Sequence, residues 1–176
     1  MTTLFILGAS SLQAQEAQKI AVLDLGNIYL NSLAMQNLEE QLKSAEAKIR
    51  ADMKAKEAAF REEKQTLEQQ RAILAPEQFK VKVKELTAKG LKYRNDFQGK
   101  IRQLAESRSA SIREIETLLE PIVSDVANSV GATMIIEKQK ILFGTKKLNI
   151  SEEVTKRLNA KVKKLKLVLV PLKTEN

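Results

Sequence analysis

The residues best suited to binding chemistry in this 176-residue chain lie between Glu77 and Arg102. Lys80, Lys82, Lys84, Lys89, Lys92, Arg94, Lys100 and Arg102 stand there against only Glu77, Glu85 and Asp96. Phe79, Val81, Val83, Leu91, Tyr93 and Phe97 are interleaved with them. On a helix, not all of these apolar residues can face one seam, and Val81 and Leu91 are the two expected on another face. Taken one at a time, the cations read as a solvated helix face and the aromatics as a seam. Covalent and acid–base chemistry is poorly provided for. The chain has no Cys, no His and no Trp. The thiol nucleophile, the usual general base near neutral pH and the commonest zinc ligands are therefore all missing. No catalytic constellation, metal site or cofactor-binding pattern is read from the sequence.

The composition also describes the elements that must carry this stretch. Six Gly, three Pro and 4% aromatics beside 30% charged residues suit long helices with a narrow apolar seam. The net charge of +8 is uneven. Residues 36–131 are nearly balanced at +2, whereas residues 132–176 carry +7. That surplus suits either a soluble surface or attraction to acidic partners or anionic lipid.

Lys19–Leu25 is rich in apolar and β-branched residues and reads as a buried strand, broken at Gly26-Asn27. Asn31-Ser32 offers a helix N-cap, with Asn27 as an earlier start. From Ser32 to Ala75 there is no Gly or Pro. Met35, Leu42 and Ile49 fall seven apart, with Leu38 and Ala45 between them, which is a heptad seam. After a four-residue step, Met53, Phe60, Leu67 and Leu74 continue it with one large apolar residue per heptad. Ala75-Pro76-Glu77 reads as a hairpin tip, since Pro fits the first turn of a helix. A second helix follows through Phe79, Val83, Leu86, Tyr93, Phe97 and Ile101. It continues on two rows, Ile115 with Ile122, and Ala105, Ile112, Leu119 and Val126. Pro121 is expected to bend it near Thr117, and Gly131 to end it. Gly90 and Gly99 weaken the helix by about 1 kcal/mol each relative to Ala, which favours compliant arms. The arms span roughly 65–80 Å at 1.5 Å per residue, too long to be wrapped in a globule.

Beyond Gly131, Ala132–Glu137 and Ile141-Leu142-Phe143 read as two strands joined by a turn at Lys138–Lys140. A helix starts near Ser151, a candidate cap, with Val154, Leu158 and Val162 as its apolar row. The weak alternation of Leu165–Pro171 reads as an edge strand or a frayed tail. The fold class is α+β, mainly α: a long antiparallel coiled-coil hairpin on a small β-sheet head. The arm covers residues 31–130 with its tip near 75–77, and the head covers 18–30 and 131–176. So few short strands bury little surface, so the head is expected to complete itself against other copies. Ile20, Val22, Leu23, Ile135, Ile136, Ile141, Leu142 and Phe143 are its oligomerisation candidates. Residues 1–17 resemble the back half of a secretory signal peptide. Leu4–Leu7 is apolar and small residues follow as far as Ala14.

The order strand, long hairpin, two strands and helix resembles the Skp/OmpH family of periplasmic chaperones for outer-membrane proteins. The resemblance runs through Lys19–Asp24 with Gly26–Tyr29, Ile73–Phe79 at the tip and Val126–Ser129. It continues through Met134–Glu137, Ile141–Phe143 and Asn149–Leu158. The chain has Asn149-Ile150-Ser151 where the family usually has Asp-Ile-Thr, and its basic tail runs past the family's usual end. The resemblance implies a periplasmic homotrimer with a shared β-barrel body. Three arms would surround a cavity that holds unfolded outer-membrane proteins without ATP. It also makes Phe79, Lys80, Val81, Lys82, Lys84, Lys89, Leu91, Lys92 and Arg94 the candidate client contacts. Two other readings stand beside it, a basic coiled coil that binds nucleic acid and a structural spacer of the envelope. Against the former, no reading motif is present and charge is mixed along the arms.

Overall fold

The computed structural model describes residues 18–171. The proposed signal remnant lies outside them. Strand β1, Ile20–Leu23, leads into a short helix α1, Leu25–Asn31. Asp24 caps α1, its carboxylate accepting from the Asn27 N–H at 3.0 Å. The chain breaks at Ser32, whose hydroxyl accepts from the Met35 N–H at 3.4 Å and caps helix α2, Leu33–Gln70. Of the two candidate helix starts in the sequence, Ser32 is used by α2, whereas Asn27 lies inside α1, which begins earlier because the Asp24 carboxylate caps it.

A turn over Arg71–Leu74 reverses the chain. Ala75 is extended, as a residue before proline prefers, and Pro76 opens helix α3, Pro76–Ser129. At 54 residues, α3 is about 81 Å long. It runs uninterrupted through Pro121, which lies exposed on its outer side. The helix ends where Gly131 adopts a positive φ of 69°. There the Ala132 N–H reaches the Ala127 carbonyl at 2.9 Å, closing the last turn in the Schellman manner.

Strand β2, Met134–Glu137, then pairs with β1 in parallel, Ile20 opposite Met134 through Leu23 opposite Glu137. Parallel strands need a long crossover, and the whole helical hairpin supplies it. The strand expected at Ile141–Phe143 does not form. Lys138–Lys140 makes a 3-10 turn that fails to fold the chain back beside β2, and Leu142 and Phe143 project fully into solvent. The other edge of β1 is taken by Asn149-Ile150 instead, with the Ile150 N–H donating to the Val22 carbonyl at 3.0 Å.

Helix α3 is followed by α4, Ser151–Lys161. Ser151 is not its cap. Its hydroxyl accepts from the Asp24 N–H at 2.7 Å, while the Asn149 side chain accepts from the Ser151 N–H at 2.9 Å. Val154 and Leu158 are buried and Val162 half-buried, as their row predicts. The core sits at the base of the hairpin. Ile28, Leu38, Ile115, Val126, Val154 and Leu158 are its most enclosed large side chains. Each contributes about 1.5–3 kcal/mol by leaving water. The expected row residue Ala105 is exposed, and Leu104, Ser107 and Ser111 are buried instead. The tail is neither strand nor frayed. Leu165 is buried among the base helices, and Val170 is held against α3.

Candidate functional site

The basic, apolar-interleaved stretch from Glu77 to Arg102 forms the distal half of α3. The helical repeat places Val81, Lys84, Ala88 and Leu91 on one stripe, at spacings of three and four residues. Val81 is 55% and Leu91 53% exposed. Lys80, Lys82, Lys84, Lys92 and Arg94 are exposed around them. Among the described residues, none of these five cations forms an ion pair within the chain. The face therefore offers apolar area bordered by unneutralised positive charge.

Two of the nine candidates are committed elsewhere. Lys89 turns inward, pairing with Glu63 across the hairpin and lying 5.8 Å from the Tyr93 ring centre. Glu63 raises the Lys89 pKa above its usual value by accepting a hydrogen bond from the ammonium. Phe79 is half-buried at the tip beneath the Arg71 guanidinium, 5.8 Å from its ring centre. Lys56, on the facing arm, also lies over Tyr93 at 5.6 Å, and Lys100 bonds Asp52 at 2.7 Å. The arms are thus tied by charge where their apolar seam is thin.

Between the arms is an open cleft of about 730 Å³, lined by Met53, Phe60, Leu67, Val83, Leu86 and Gly90 among others. Gly90 has a packing role that its helix propensity does not show. A Cβ there would stand 3.0 Å from the Phe60 ring, so the glycine lets the aromatic lie against the backbone of α3. Sequence periodicity places Phe60 in the seam but gives no sign of this partner.

At the base, the head candidates divide. Val22 and Leu23 are buried in the core, and Ile136 and Ile141 are half-buried. Ile20, Ile135, Leu142 and Phe143 are exposed, as is Met134 beside them. Leu142 and Phe143 border one groove, beside Asp24 and Lys156, whereas Met134 and Ile135 border a separate one of about 630 Å³, lined also by Leu23, Leu119 and Ala127. An apolar patch of this kind beside an open strand edge is an interface feature. Tyr29 lines the same groove, its hydroxyl donating to Glu116 at 3.1 Å. Burial and that bond push its pKa up to about 12. Among the described residues, no group of three or more acidic, His or Cys side chains could hold a metal ion. No described helix is long and apolar enough to cross a membrane.

A long two-helix arm projecting from a small head of two parallel strands and short helices defines the chain as a helical-hairpin protein. The chain belongs to the OmpH-like outer membrane protein family, whose model matches residues 19–158. Its fold is that of a candidate outer membrane chaperone (OmpH-like) from Caulobacter crescentus CB15. The two superpose with a TM-score of 0.84 at 14% identity, over 97% of this chain and 99% of the other. No curated protein matches the sequence.

Proposed function

We infer that this protein is an ATP-independent holdase, a periplasmic chaperone that binds unfolded outer-membrane proteins and keeps them from aggregating. The observation that carries this reading is the Val81–Leu91 stripe with its border of free cations. It presents apolar surface on an arm too thin to bury it. Such a surface gains from each contact with an unfolded chain without requiring any fixed sequence. No catalytic step is assigned to it. The homotrimer, with a shared barrel built around β1 and β2, is supported by the exposed Ile20, Ile135, Leu142 and Phe143 and by the unpaired edge of β2. The cavity would then lie between three arms, with Lys80, Lys82, Lys84, Lys92 and Arg94 among its contacts. The basic C-terminal third suits a further role at anionic lipid.

The test is an aggregation assay with a urea-unfolded outer-membrane barrel protein, without ATP. Equimolar trimer is expected to suppress the light scattering. Unchanged scattering overturns the reading, and a steep salt dependence of DNA binding would favour nucleic acid instead. Mass in solution tests the trimer separately.

A further inference from the structure

The tail from Lys163 to Pro171 lies beyond the stretch matched by the family model. It is held across both arms of the hairpin, and the polar grip on it goes entirely to its backbone. On α2, Gln41 Nε2 donates to the Leu165 carbonyl at 2.6 Å, and Gln41 Oε1 accepts from the Leu167 N–H at 3.0 Å. One carboxamide thus serves the C=O of one residue and the N–H of the second residue along. A residue in a parallel sheet meets its neighbouring strand in the same pattern. On α3, Gln103 Nε2 donates to the Val170 carbonyl at 3.1 Å, and Ser107 Oγ accepts from the Val170 N–H at 3.0 Å.

These partners are held in place by their own helices. Gln41 Nε2 also donates to Asn37 Oδ1 at 2.9 Å. Ser107 donates to the Gln103 carbonyl at 2.7 Å, which aims its lone pairs outward. Ser107 and Ser111 are buried in the row that elsewhere presents Leu104 and Ile115. Small side chains there leave room for a third chain beside the arms. None of these hydrogen bonds reads a tail side chain. Leu165 is 7% exposed, whereas Val168 and Leu169 stand open to solvent.

We propose that Gln41, Gln103 and Ser107 form a binding track for an extended apolar polypeptide segment, and that the chain's own tail occupies it as a displaceable stand-in for client. The occupant that replaces the tail is a strand-forming segment of an unfolded outer-membrane protein. Such segments alternate apolar residues along an extended backbone, as Leu165-Lys166-Leu167 does at the start of the tail. Backbone-directed bonds accept any such sequence, as a holdase requires. The proposal rests on the holdase reading and adds a second, basal contact site to the distal stripe.

The probe is a fluorescent peptide with the sequence of residues 163–171. The Leu167→Pro/Val170→Pro variant removes both N–H donors of the tail and leaves the track intact. It is expected to bind the probe at least tenfold more tightly than the unmodified chain. Adding Gln41→Ala and Gln103→Ala is expected to abolish that gain. Equal binding by the unmodified chain and the proline variant, with helical circular dichroism retained, overturns the proposal. On the unmodified chain, saturating probe is expected to speed amide exchange at Leu167 and Val170 at least tenfold, and unchanged exchange also overturns it. If the track normally holds the tail of another copy, the proline variant loses mass in solution, which overturns the assignment to client. Aggregation suppression, measured on the same samples, judges the holdase reading. Suppression without probe binding sinks the track alone, and probe binding without suppression sinks the holdase reading alone.

Discussion

The base and the distal half of the hairpin are built from the same two helices, yet they are different materials. At the base, α2 and α3 are enclosed by α1, β1, α4 and the tail, and Leu38 and Ile115 are fully buried. Toward the tip the two helices have only each other. Met53, Phe60 and Tyr93 are half-buried, and pairs such as Lys89–Glu63 and Lys100–Asp52 cross the gap. A two-helix layer seldom encloses a side chain on all sides, so most seam residues there keep a wet flank, and Leu67 alone among Met53, Phe60, Leu67 and Tyr93 is buried. The lesson is a stability gradient along one element. The base anchors the fold, while the distal half keeps surface available.

The largest effect is expected from emptying the base. Leu38→Ala should cost about 2–5 kcal/mol in urea unfolding, because it leaves a cavity in close-packed surroundings. Phe60→Ala, although it removes more atoms, should cost less than Leu38→Ala, since its site is open to water. Equal costs would remove the gradient.

The functional contrast comes next. Val81→Asp/Leu91→Asp should raise the amount of protein needed to suppress aggregation by about threefold or more. Its melting temperature should fall by no more than a few degrees, because exposed residues contribute little to folding. A large melting shift would move these residues from contact surface to structure.

A finer test uses Gly90. An exposed helical Gly→Ala gains about 1 kcal/mol from propensity. Here the new methyl meets the Phe60 ring at 3.0 Å. Gly90→Ala is expected to be neutral or destabilising alone and stabilising in a Phe60→Leu background. The sign change, read from urea midpoints, would locate the close approach of the arms.

The smallest effect is at the base groove. Tyr29 ionises near 10 in water and near 12 in the fold. The folded state therefore holds its proton more tightly, and the stability this brings is full below pH 10 and declines as pH rises toward 12. Tyr29→Phe should lose less stability than the unmodified chain over that window. Parallel decline of the two proteins would show that burial and the Glu116 bond do not raise the Tyr29 pKa in the fold.

Much of this was legible in the residues. The Met35, Leu38 and Leu42 seam, the reversal at Pro76, the stop at Gly131 and the α4 row all follow from rules that act within a turn or two of chain. The misreadings share one cause. Ile141–Phe143 has strand-forming residues but no neighbour to pair with, and Asn149-Ile150 reaches the edge of β1 first. Ser151 has a capping side chain, but the Asp24 N–H from a segment far away in sequence claims it. Ala105 fits the period, but the tail settles against Ser107 instead.

By itself, then, the sequence determined a long hairpin on a small head and the basic, apolar-interleaved composition of the second arm. Those properties depend on periodicity, Pro and Gly placement and composition, all of which are local. Only the tertiary structure decided which cations stay free, that Gly90 receives an aromatic ring, and that the tail's backbone N–H groups donate to Gln41 and Ser107. Each of those depends on which distant segment arrives beside a given side chain. That is settled by the packing of the whole chain at the base, where burial is strong enough to choose among competing partners.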